Sequence, residues 1–147
     1  MARKRMIHPD FFTSATMNGL PISAMVTFAG VWCWADDYGR GEDDAALVKA
    51  AVWPRRRSMT EKKVEGDLDA LVGVGVLCRY TVAGHALLHV TNWREHQKVQ
   101  HPTPSKLPPC PMHEAEAWEA FQISDDPATE KYRAGSRAAH EKFRSAS

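Results

Sequence analysis

Three helical segments followed by a hairpin, all within the first hundred of 147 residues, predict an α+β fold for this chain. Three observations carry that reading. The run from Ala24 to Ala35 is apolar on nearly every face, as in a helix buried from several sides. The string Ser58-Met59-Thr60-Glu61 has the form of a capping box, and it precedes Val64, Leu68, Leu71 and Val72, whose spacing puts them on one helical stripe. Two β-rich runs, Val76 to Val82 and Ala86 to Thr91, flank the short Gly-containing loop Ala83-Gly84-His85.

Each element follows from local chemistry. Pro9-Asp10 are good first-turn residues, and Phe11 and Phe12 follow before Asn18-Gly19 stops a short helix or turn. Ser23, after Pro21, is placed to cap the apolar helix, whose Trp32 and Trp34 read as core. Asp36-Asp37-Tyr38-Gly39-Arg40-Gly41 ends it with turn formers; Asp43 or Asp44 then caps a second helix from Ala45 to about Val52, halted by Trp53-Pro54. The third helix follows the loop Arg55-Arg56-Arg57 and ends at Gly73 and Gly75, with Glu61, Lys62, Glu65 and Asp69 off its inward stripe. The hairpin completes the core, and Asn92 to Lys98 suits one helical turn.

Five of the nine prolines lie between His101 and Pro111, which predicts an extended, polyproline-like linker. Beyond it, Glu114 to Ile123 forms an amphipathic helix through Ala117, Trp118 and Phe121, and Thr129 to Phe143 a mostly polar one. Neither is long or apolar enough to fold alone, so these segments dock on something or stay mobile. The expected organisation is therefore a folded domain over 1–100, a proline-rich linker over 101–112, and a helical or partly disordered C-terminal tail over 113–147.

A composition of 44% apolar and 25% charged residues excludes collagen-like, mucin-like and wholly disordered chains. The net charge of +1 gives no global sign toward nucleic acid or membrane, so any basic surface must be local. Three widely spaced cysteines, Cys33, Cys78 and Cys110, argue against a disulfide framework and for a reducing cytosol. The apolar run of about a dozen residues is short of the ~20 that span a bilayer. Arg3-Lys4-Arg5 is followed by Ile7-His8-Pro9-Asp10 and not by the apolar run of a secretory signal. A cytoplasmic protein with no membrane partner is expected.

Three helices and then a two-stranded hairpin is the element order of a winged helix-turn-helix, with the third helix for recognition and the hairpin as wing. Particular strings strengthen this. Ile7-His8-Pro9-Asp10-Phe11-Phe12, Trp34-Ala35-Asp36-Asp37-Tyr38-Gly39-Arg40, Trp93-Arg94-Glu95-His96-Gln97-Lys98 and Pro102-Thr103-Pro104-Ser105 together resemble the small phage and prophage replication-type winged-helix proteins, over about residues 3–109. The resemblance implies a DNA-binding domain similar in architecture to the amino-terminal part of phage replisome organisers. Those proteins bind origin DNA and help recruit helicase machinery, so the resemblance implies no enzyme.

A DNA reader needs cations for phosphates and donors or acceptors for base edges. Arg55, Arg56 and Arg57, with Ser58, Thr60, Lys62 and Lys63 at the start of the third helix, form the best cluster. Arg3, Lys4 and Arg5 read as a flexible basic arm, and Arg79 and His85 as wing contacts. Glu61, Glu65, Asp67 and Asp69 on the same third helix oppose phosphate, which suits a tip-first approach, with Glu65 able to accept from a cytosine amino group. The same acidic helix also suits an alternative: a winged-helix protein-interaction adaptor or transcriptional regulator, whose tail docks a replication-protein partner through Trp118 and Phe121 or mediates homodimerisation.

Metal and catalytic readings are weaker. The acidic pairs Asp36-Asp37 and Asp43-Asp44 fit no calcium loop and read as turn and cap residues. Cys110 and His113, with His96 and His101, are the one zinc-like set, but only one half of a paired ligand motif is clear, so no metal is assigned. No nucleophile elbow, phosphate-cradling loop or H-E-x-x-H string occurs. The expectation is a non-enzymatic, cofactor-free protein that binds double-stranded DNA in replication initiation.

Overall fold

A computed structural model describes residues 2–133. In chain order the helices and strands are α1 (Asp10–Thr13), α2 (Ala15–Asn18), α3 (Ile22–Trp34), β1 (Arg40–Glu42), α4 (Ala45–Val52), α5 (Glu61–Gly73), β2 (Leu77–Val82), β3 (His85–Val90), α6 (Trp93–His96) and α7 (Ala115–Gln122). The protein is thus α+β, with a three-stranded antiparallel sheet in the order β1-β3-β2. No helix among the described residues is long and apolar enough to cross a membrane.

The helices form as their apolar spacing dictates. α3 buries Ala24, Thr27, Phe28, Val31 and Trp32, and α5 turns Val64, Leu68 and Leu71 inward. Asp44 caps α4 by accepting from the Ala46 amide at 2.9 Å. The cap of α5 falls later than the capping-box reading: Thr60, not Ser58, accepts from the Lys63 amide, at 3.2 Å. Ser23 likewise caps nothing, since α3 starts behind Pro21 and the Ser23 hydroxyl donates to Asp67.

β1 begins within Asp36–Gly41, the stretch expected to be all turn, and ends one residue beyond it. Gly39, at φ +77°, closes the turn from Asp36, and the next three residues pair with β3 in the register Arg40↔His89, Gly41↔Leu88 and Glu42↔Leu87. Gly41 lies against the Trp34 ring, where a Cβ would collide with the indole. The β2-β3 connection is a two-residue loop, Ala83-Gly84, both at positive φ, so its twist matches that of the strands.

Strand alternation splits the sheet into two covered faces. Leu77, Leu88 and Val90 join the helices in the main core with Phe28, Val31 and Val64. Cys78, Tyr80, Val82 and Leu87 point the other way, into a second core with Cys110, Phe121 and Tyr132. This second core revises the expected linker and tail. Residues 101–110 form no helix or strand, but Pro108, Pro109 and Cys110 are buried. The Tyr80 hydroxyl donates to the Pro108 carbonyl at 2.7 Å, and Trp118 and Phe121 of α7 pack on the sheet. An apolar sheet face needs a cover, and the amphipathic tail supplies it; burying Phe121 alone is worth about 2 kcal/mol. The expected helix over Thr129 to Phe143 lies mostly outside the described residues.

Candidate functional site

The loop between α4 and α5 is pinned from below. The buried Met59 anchors it, and the Trp53 indole donates to Thr27 Oγ1 at 2.9 Å. Above these anchors Arg55, Arg56, Arg57, Ser58, Thr60, Lys62 and Lys63 are all exposed. Among the described residues no carboxylate forms an ion pair with Arg55, Arg56, Arg57, Lys62 or Lys63; the Lys63 ammonium donates to the Ser58 carbonyl at 2.8 Å. The cations expected around the start of the third helix are therefore all exposed, on the α4–α5 loop and the first turn of α5.

Three of the four acids on α5 are engaged elsewhere. Asp67 is buried and accepts from the hydroxyls of Ser23 and Thr27, each at 2.8 Å, which ties α5 to α3. Arg79 on β2 makes a bidentate bond to Glu65 and also meets Asp69 and Asp43, at 2.8 and 3.2 Å. Burial pulls the Arg79 pKa down, but these three carboxylates outweigh it and hold the pKa above its ordinary value. Arg79, expected on DNA, is thus engaged by carboxylates within the chain, and Glu65, expected to read a base, is engaged by Arg79. Asp43 is raised by burial against the pull of Arg79.

The N-terminal basic arm is largely structural. The Arg5 side chain is 5% exposed and donates to Asp37 at 3.1 Å and to the carbonyls of Trp32, Ala35 and Asp36, while its guanidinium covers the Trp93 ring. Arg3 pairs with the other Asp37 oxygen, and Lys4 alone of the three is without an ion pair among the described residues. Burial alone would raise the Asp37 pKa, but the Thr103 amide and the two arginines hold it at about 2. The same knot takes in Trp93, whose indole donates to the Asp37 carbonyl at 2.8 Å, and Gln97, which bonds both backbone groups of Met6. Asp36 accepts from the Ser105 hydroxyl and from the amides of Tyr38 and Arg40. His85 begins β3 opposite Val82 and meets the Tyr132 ring edge-on at 4.9 Å. It is a strand residue against the tail, not a loop tip.

On the outer sheet face Cys78, Cys110 and His113 bring their ligating atoms within 4.8 Å of one another. Cys78 Sγ lies 3.8 Å from Cys110 Sγ, which lies 3.4 Å from His113 Nδ1. Burial, with Cys110 alongside, pushes the Cys78 thiol up to about 11. His96 and His101, the other histidines of the zinc-like set to which no metal was assigned, are exposed and outside this group. The partner that sequence reasoning missed is Cys78, and the hairpin held the signal. A two-residue loop at Ala83-Gly84 sets Cys78 opposite His89, which puts a second thiol and a histidine side by side on the face that the Cys110 segment crosses. The chain matches no protein-family model, no curated protein and no solved structure.

Proposed function

We propose that this chain is a non-enzymatic, winged-helix DNA-binding protein of the phage replication type, which grips duplex phosphates with Arg55, Arg56, Arg57, Lys62 and Lys63 and recruits partners in replication initiation. The observation that carries the reading is the exposed cationic edge at the start of α5, unpaired among the described residues, while Glu65, Asp67 and Asp69 on the same helix are neutralised or buried. Residues 55–63 carry five cations and one acid, Glu61, so the local charge favours phosphate although the net charge of the chain is +1. The amino-terminal amides of α5 add to that attraction. The order α3, β1, α4, α5, β2, β3 supports the winged-helix part of the reading, with α5 in the recognition position and β2-β3 as the wing.

Fluorescence anisotropy with labelled random duplex and single-stranded oligonucleotides, titrated from low to near-physiological salt, tests the reading. Steeply salt-dependent duplex binding is expected. The triple variant Arg55→Ala, Arg56→Ala, Arg57→Ala is expected to weaken it and to lower the salt slope by up to about three. Binding unchanged in that variant removes the loop from the interface, and no binding at low salt rejects the function.

A further inference from the structure

The Cys78, Cys110 and His113 cluster has the dimensions of a metal centre. Two thiolates about 2.3 Å from a tetrahedral zinc ion sit about 3.8 Å apart, and a thiolate and an imidazole nitrogen about 3.5 Å apart. The observed separations are 3.8 Å for Cys78 Sγ to Cys110 Sγ and 3.4 Å for Cys110 Sγ to His113 Nδ1. Cys110 and His113 flank one turn, closed by the Glu114 amide donating to the Cys110 carbonyl at 2.8 Å, so the Cys-x-x-His spacing presents both ligands to one side.

A second, independent observation concerns His89. It sits directly across from Cys78 on the same sheet face, is 4% exposed, and its Nδ1 is buried without a hydrogen-bond partner. An orphaned buried ring nitrogen is costly unless something binds it. The other ring nitrogen, Nε2, lies 3.6 Å from Glu114 Oε1. Glu114 is itself fixed by Arg40 at 2.6 and 3.1 Å and by the Cys110 amide at 3.1 Å. A carboxylate behind a histidine that offers its opposite nitrogen is the usual support for a metal-bound imidazole. The His89 and His113 ring centres are 6.1 Å apart. Two imidazoles on one tetrahedral zinc stand roughly 5 Å apart, and His89 lies outside the set whose ligating atoms fall within 4.8 Å of one another, so closure requires His89 and the exposed His113 turn to move toward each other.

We propose that Cys78, Cys110, His113 and His89 bind one zinc ion, which staples the C-terminal segment to the outer face of the sheet. Thiolate and imidazole donors in a tetrahedral set select zinc over the hard cations. Binding releases the two thiol protons to solvent and places His89 Nδ1 on the metal. A cleft of about 780 Å³ is lined by His89, His113 and Glu114, beside the two thiols. The ion joins β2, β3 and the Cys110 turn, so its role is structural, and it holds the second core closed.

The test loads the reduced, metal-stripped full chain with Zn²⁺ alone and, separately, with Co²⁺ as a spectroscopic probe. One zinc per chain by native mass spectrometry is expected, as is a cobalt spectrum with the intense visible bands of a tetrahedral site and a thiolate charge-transfer band. His113→Ala removes an exposed ligand, and Cys110→Ser a buried one. Each is expected to lose more affinity than the ~10–100-fold typical of an outer partner, while Glu114→Gln falls within that range. Cys33→Ser is expected to bind as the parent does. No stoichiometric zinc, an octahedral cobalt spectrum, unchanged affinity in His113→Ala, or a Cys78–Cys110 disulfide in place of metal uptake would overturn the proposal.

Discussion

Arg79 on β2 clasps Glu65 on α5 with two parallel hydrogen bonds of 2.7 and 2.8 Å, and the same guanidinium reaches Asp69 at 2.8 Å. This clasp sets the electrostatics of α5. The helix has a basic start and an acidic middle, and the clasp cancels the middle with a cation from another element. A phosphate near the start of α5 therefore meets Lys62 and Lys63 without facing two bare carboxylates on the next turns.

The clasp makes a prediction that separates an indirect role from direct DNA contact. Arg79→Gln is expected to weaken duplex binding by exposing Glu65 and Asp69, and to cost about 1 kcal/mol of stability, since Glu65 and Asp69 are about half or more exposed although Asp43 is not. Adding Glu65→Gln and Asp69→Asn to that variant is expected to restore binding in anisotropy titrations. Failure to restore it would mean that Arg79 itself touches the nucleic acid.

Asp67 holds α3 against α5 by a different principle. Its carboxylate is buried and accepts from Ser23 and Thr27, and Thr27 in turn accepts from the Trp53 indole. Asp67→Ala leaves a buried hydroxyl without its acceptor and is expected to cost about 2 to 3 kcal/mol, read as a lower urea midpoint at unchanged slope. Asp67→Asn, which keeps an acceptor, is expected to cost less. Equal losses in the two variants would show that the network contributes only through packing.

How much was legible follows from how far each interaction reaches along the chain. The Val64, Leu68 and Leu71 stripe and the β2-β3 hairpin are local patterns, and both stand where periodicity puts them. β1 was hidden because three residues among turn formers carry no period, and Arg40, Gly41 and Glu42 become a strand only through β3. The fate of each arginine was equally hidden. Arg55 and Arg79 look alike in sequence, yet Arg79 finds Asp43, Glu65 and Asp69 on other elements. In sequence Arg5 has the look of an arm because its partner Asp37 lies 32 residues away. Three of the four strings that carry the expected family likeness converge on that same knot of Asp36, Asp37, Trp93, Gln97, Thr103 and Ser105. They therefore report how the fold is fastened and bear less directly on what it binds.

That knot predicts an acid transition. The folded Asp37 carboxyl sits at about 2, below its ordinary value of 3.8, so its stabilisation is present above about pH 4 and is lost as pH falls through the folded value. Stability is expected to decline between about pH 4 and 2, as followed by urea midpoints across that range. Asp37→Asn is expected to be less stable at neutral pH and to show a shallower decline. A parallel decline in the variant would assign the acid sensitivity to other carboxylates.

The second core makes the C-terminal segment part of the folded unit, which changes how its removal must be interpreted. Deleting residues 112–147 uncovers Cys78, Tyr80, Val82 and Leu87 along with whatever partner site the tail holds, so lost activity after truncation does not by itself identify a partner. A single change is cleaner. Phe121 is 9% exposed, stacks on Trp118 at 5.5 Å between ring centres, and has the Arg133 guanidinium 5.5 Å from the centre of its ring. Phe121→Ala is expected to cost about 3 kcal/mol and to increase binding of a hydrophobic dye as the outer sheet face opens. The main core packs on the opposite face, around Leu77, Leu88 and Val90, so α3 and α5 are expected to keep their amide-exchange protection. Loss of protection in those helices as well would show that the two faces unfold as one cooperative unit.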